Sequence, residues 1–111
     1  MGFSQKEVDD LKKVAPELKK IQEGGHTFFY IEKLMLPDGC NPNVVEALLC
    51  PNNHSGYPNR LFFSAKVSSP QTRNWNGQLR VIGRNWYGIS WRTKTGLTLL
   101  EMLSIHLKAF E

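Results

Sequence analysis

Two cysteines, three histidines and three tryptophans set among arginines are the residues of this chain with chemistry to offer. Cys50 and His54 have the C-x-x-x-H spacing of half a zinc site, but His26 and His106 are distant and have no cysteine beside them. No metal site and no cofactor is therefore expected. Cys50 ends the apolar run VVEALLC and reads as a small buried hydrophobe. Cys40 and Cys50 could pair, although a lone disulfide does not fit a cytosolic chain. Trp75, Trp86 and Trp91 lie among Arg73, Arg80, Arg84 and Arg92, a mixture that can stack bases and hold phosphates. The competing reading places Trp86 in the core beneath the last helix and leaves Trp91 partly exposed for partner packing. A net charge of +4 is only mildly basic, so nucleic acid ranks behind protein partners. His54 reads as a loop hydrogen bonder and Ser90 as a structural one.

The segment HSGYPNRLFF, residues 54–63, places a Gly-Tyr-Pro turn directly before a strand. Gly56 supplies free torsions, Pro58 fixes its own φ, and Tyr57 is pushed into extended geometry. This would hold the loop from Asn52 to Pro58 as a rigid surface knob.

The elements around these residues follow from periodicity. Residues 4–25 read as a helix, with Ser4 and Glu7 in a capping-box pattern. Its apolar positions Val8, Leu11, Val14, Leu18 and Ile21 recur every three or four residues. Pro16 predicts a kink or restart within it, and Gly24 and Gly25 an end. HTFFYIEKLML, VVEALLC, RLFFSAKV and QLRVIG read as four strands joined by turns. RNWYGISWRTK reads as an irregular connection, and residues 95–110 as a leucine-rich helix capped by Thr95. The expected class is α+β: an N-terminal helix, a four-stranded antiparallel meander and a C-terminal helix.

With 111 residues, 41% hydrophobic and 22% charged, the chain reads as one globular domain, 1–111. No apolar run approaches the roughly 20 residues of a membrane span, so no membrane partner is expected. MGFSQKEVDD has no secretory pattern, and a cytoplasmic location is the expectation.

In order along the chain, the apolar strand ending LLCP, the GYP that follows, Ser69-Pro70-Gln71, Gly77 and Trp86 resemble the ubiquitin-conjugating (ubiquitin-carrier) family. Its compact bacterial members from ubiquitin-like conjugation operons are the nearest in kind. That resemblance implies the same layout, with the last helix as the family's crossover helix. Its implied partners are a ubiquitin-activating-enzyme-like protein and a ubiquitin-like protein, and its setting is bacterial, with antiphage defence as a role. The family's nucleophilic cysteine is replaced here, since the matching place reads GQLRVI with Leu79 or Arg80. Two readings stay open. In the first the protein is a carrier that accepts the ubiquitin-like C-terminus as an oxyester on Ser69, Ser68 or Thr72, with Gln71 as oxyanion donor. In the second it is a non-catalytic adaptor that docks partners through Tyr57 and Pro58, with His54 and Trp91 nearby. A basic, aromatic nucleic-acid module is third.

Overall fold

The computed structural model describes residues 4–52, 56–71, 73–91 and 93–111. Helix α1 spans Gln5–Val14, with the Ser4 hydroxyl accepting the Glu7 N–H at 3.2 Å. It ends because Pro16 disfavours helical torsions at the residue before it. Ala15 accordingly lies at φ −137°, ψ 75°. Past the proline the chain becomes strand β1, Lys19–Glu23, and turns through Gly24 and Gly25 into β2, His26–Met35. Both glycines have positive φ, 62° and 80°, and Glu23 pairs with His26 across them. A two-residue glycine turn of this kind joins antiparallel strands, so the glycines close a hairpin and do not terminate a helix.

Strands β3, Val44–Cys50, and β4, Arg60–Phe63, follow. The expected strand 60–67 is cut at Phe63, and all four β4 residues are buried. Residues 84–88, expected as an irregular connection, form strand β6, Arg84–Gly88, hairpinned to β5, Gly77–Val81. Strand β6 pairs with β4, so the sheet order is β1-β2-β3-β4-β6-β5, with every pairing antiparallel. The sheet curls into a half-barrel: the Glu23 carboxylate from its first strand accepts the N–H of Ile82, in the turn after its last, at 3.1 Å. Helix α2, Leu99–Leu107, is closed at its start by a full capping box of Thr98 and Glu101 and runs into a 3-10 turn, Lys108–Phe110. Thr95, the expected cap, lies three residues ahead of Thr98, the observed one.

The expected ubiquitin-carrier layout of one helix, a four-stranded meander and a crossover helix is thus overturned. The described residues form six antiparallel strands in one curled sheet and two short α-helices.

Each face of the sheet has its own core. Phe29, Ile31, Ala47, Leu49, Leu61 and Phe63 pack beneath the helices with Leu11, Leu99, Leu103 and Phe110. Phe28, Leu48, Cys50, Phe62, Val81 and Trp86 fill the other face, inside the curl. Trp86 is fully buried, but away from the last helix and not beneath it. Among the described residues no helix is long and apolar enough to cross a membrane.

Candidate functional site

Only three polar residues are buried among those described, namely Asn59, Arg60 and His106, and all three meet at the mouth of β4. Asn59 and Arg60 directly follow the Tyr57-Pro58 turn. Strand alternation then sends the two side chains to opposite faces of the sheet.

On the helix side, Asn59 joins three segments. Its amide nitrogen donates to the Lys94 carbonyl at 3.3 Å. Its Oδ1 accepts from the Thr93 hydroxyl at 2.9 Å and lies 2.8 Å from His106 Nε2. Because Oδ1 is an acceptor, the imidazole carries its hydrogen on Nε2. Burial, with a smaller contribution from the Arg60 charge, lowers the His106 pKa to about 4, so the ring is neutral near pH 7. Beside this network Asn52, Gly56, Pro58, Thr95, Gly96 and Met102 line a cleft of about 380 Å³.

On the other side the Arg60 guanidinium lies against the cross-strand pair Gly77 and Gly88. A Cβ on Gly77 would fall 2.5 Å from Arg60 Nη2, so any other residue there would push the guanidinium from this position. Arg60 Cζ is 4.4 Å from the Tyr57 ring centroid and 5.1 Å from that of Phe62. Nη2 donates to Asn76 Oδ1 at 3.3 Å and to the Ile89 carbonyl at 3.0 Å. Tyr57 Oη is 3.0 Å from Ser90 Oγ and accepts from Asn76 Nδ2 at 3.5 Å. Asn76 and Ser90 are exposed, and Tyr57 is half-buried.

The residues singled out in the sequence do not gather in one place. Tyr57 and Pro58 belong to this site. Trp91 is half-buried against the main core, with Nε1 donating to the Ile105 carbonyl at 3.1 Å and Arg73 Cζ 4.7 Å from its ring. Ser68, Ser69 and Gln71 form a separate corner. The Ser68 backbone pairs with Asn41, and the Ser69 hydroxyl donates to the Gln71 carbonyl at 2.6 Å. That bond commits the hydroxyl proton to a backbone carbonyl and involves no base. His54 and Thr72 lie outside the described residues.

Both cysteines are buried and free, and burial raises both pKa values. Among the described residues no three His, Cys, Asp or Glu side chains gather as metal ligands.

The sequence reading stopped at Tyr57-Pro58 and missed Asn59, Arg60, Asn76 and His106. A signal was there, because an arginine placed directly before Leu-Phe-Phe must find neutral acceptors or an anion once the strand is buried. Compared with known proteins, the chain matches no family model, no curated protein and no solved structure.

Proposed function

We propose that the protein is a non-catalytic adaptor that docks a protein partner on the face around Tyr57, Asn76 and Ser90. One observation supports this above the carrier reading: beside the Arg60 cation, the side chains at the β4 mouth are neutral and held by one another. His106 is locked on Asn59, and Tyr57 on Ser90 and Asn76. The Cys50 thiol, fully buried, donates to the Asn52 carbonyl, and Ser69 donates to a turn carbonyl. Acid–base or nucleophilic work needs a base aimed at a reacting proton, whereas docking needs a rigid surface. The indoles favour protein packing over base stacking, because Trp86 is fully buried and Trp75 packs edge-on against Phe63.

The proposed setting is the cytoplasm. The first partners to assay are the pair implied by the sequence resemblance, a ubiquitin-activating-enzyme-like protein and a ubiquitin-like protein. With the ubiquitin-carrier layout overturned, that pair rests on the short motifs alone. The test is calorimetric titration with each, followed by incubation with both and ATP. The adaptor reading expects saturable binding, weakened at least about tenfold by Tyr57→Ala, and no covalent product. A product that survives thiol reductant, falls to hydroxylamine and maps to Ser68, Ser69 or Thr72 would establish the carrier reading instead. Absence of both binding and product rejects the two together.

A further inference from the structure

Arg60 takes a positive charge into the protein, with 4% of its surface exposed. Among the described residues the ion pairs belong to Lys6, Lys13 and Arg84, and no carboxylate lies within reach of Arg60. Removing a guanidinium from water is costly unless an anion or a full set of acceptors replaces the lost hydration. Here the replacement is incomplete. Nη2 donates to two neutral oxygens, while Nη1 and Nε make no hydrogen bond among the described residues. Among the described residues no fully enclosed polar side-chain atom lacks a partner, so neither of those nitrogens is completely sealed from solvent.

The surroundings restrict what can meet them. The Tyr57 ring and the Gly77 backbone pack against the guanidinium, so a partner has to meet the N–H edge at Nη1 and Nε, which make no hydrogen bond among the described residues. Two exposed neutral side chains, Asn76 and Ser90, stand at the rim. An anion that is planar at its charged end and hydrogen-bonds in the plane of the guanidinium fits such an edge. A carboxylate has this shape, whereas a tetrahedral phosphate needs room for its out-of-plane oxygens.

We propose that Arg60, with Asn76 and Ser90 at its rim, is a receptor for a carboxylate on the docked partner, either a chain-terminal carboxylate or an Asp or Glu side chain. The inference deepens the adaptor reading and rests on it for the partner's being a protein. The acceptor site itself is testable without any partner.

The experiment follows the Arg60 Nε–H resonance and the Gly77 and Ser90 amides by NMR during titration with acetate and, separately, inorganic phosphate. Acetate is expected to shift all three saturably and to bind more tightly than phosphate. Asn76→Ala and Ser90→Ala should each weaken acetate binding by roughly three- to tenfold while the remaining spectrum stays native. These rim variants carry the test because Arg60→Gln disturbs a packed strand and can fail to fold. Short peptides then separate the sources: loss of binding on C-terminal amidation identifies a chain terminus, and retention in a peptide with an internal Glu identifies a side chain.

No acetate shift, tighter phosphate binding, or acetate affinity unchanged in both rim variants overturns the proposal. Acetate binding without docking of either candidate protein would leave the receptor standing and remove the adaptor reading. Docking unaffected by both rim variants, together with no acetate shift, would do the reverse.

Discussion

Ile82 occupies φ 48° in the two-residue turn between β5 and β6, followed by Gly83 at φ 72°. Positive φ at both positions matches the twist of a tight hairpin, and asparagine or glycine normally supplies it. A β-branched side chain there crowds its own backbone. Ile82 gains little in return, since 41% of its surface is exposed. Ile82→Asn relieves the crowding while keeping the backbone N–H that donates to Glu23. It should stabilise the protein by about 1 kcal/mol, read as a rise of roughly 4 °C in the thermal midpoint. An unchanged or lower midpoint would mean that the isoleucine side chain contributes packing that outweighs the strain.

At the scale of elements, α2 makes the sharpest test. Its capping box fixes where the helix starts, and that start decides which leucines turn inward. Leu103 is 4% exposed in the main core, whereas Leu100 is only partly buried at its margin. Leu103→Ala should cost about 2–5 kcal/mol in urea unfolding, and Leu100→Ala clearly less. Equal losses would place the inward face of the helix elsewhere. This helix was legible in the sequence because its apolar repeat is long, although its start was read at Thr95 and lies at Thr98. Strands β2 and β3 were legible for the same reason. The two hairpins were not. Leu18 and Ile21 fit a helical repeat begun upstream, so the Gly24-Gly25 pair looked like a stop when it was a turn. Ile82-Gly83 lacks the asparagine that announces a tight hairpin, so β6 passed as irregular chain. Losing two strands was enough to make a six-stranded curl resemble a four-stranded meander. Of the site, the Tyr57-Pro58 turn was visible locally. Arg60, Asn76, Ser90 and His106 are distant in sequence, and only the sheet order brings their segments together.

At the scale of the whole molecule, each face of the curled sheet carries one polar tie sensitive to acid. On one face Glu46 accepts two bonds from Arg84, at 2.8 and 2.7 Å, and one from the Tyr30 hydroxyl, joining β3 to β6 and β2. The Arg84 bonds, and then that of Tyr30, lower the Glu46 pKa to about 2. The Arg84 and Glu46 side chains are 41% and 34% exposed, so solvent screens the pair and its contribution is small. On the other face His106 ties α2 to the β4 mouth while fully enclosed. Its pKa falls from 6.5 to about 4 on folding, chiefly through burial, so the unfolded chain binds the proton first as pH drops. The stability this neutral ring contributes is intact above pH 6.5, declines as pH falls, and is gone below about 4. Glu46 acts in the same direction over a lower window, from 4.5 down to about 2. Urea midpoints should therefore fall between pH 6.5 and 4, by at most roughly 3 kcal/mol in unfolding free energy. His106→Gln can still donate to Asn59 but cannot take up a proton, so it should flatten that upper window and leave the lower one in place. A slope equally steep in the variant would assign the upper transition to other groups.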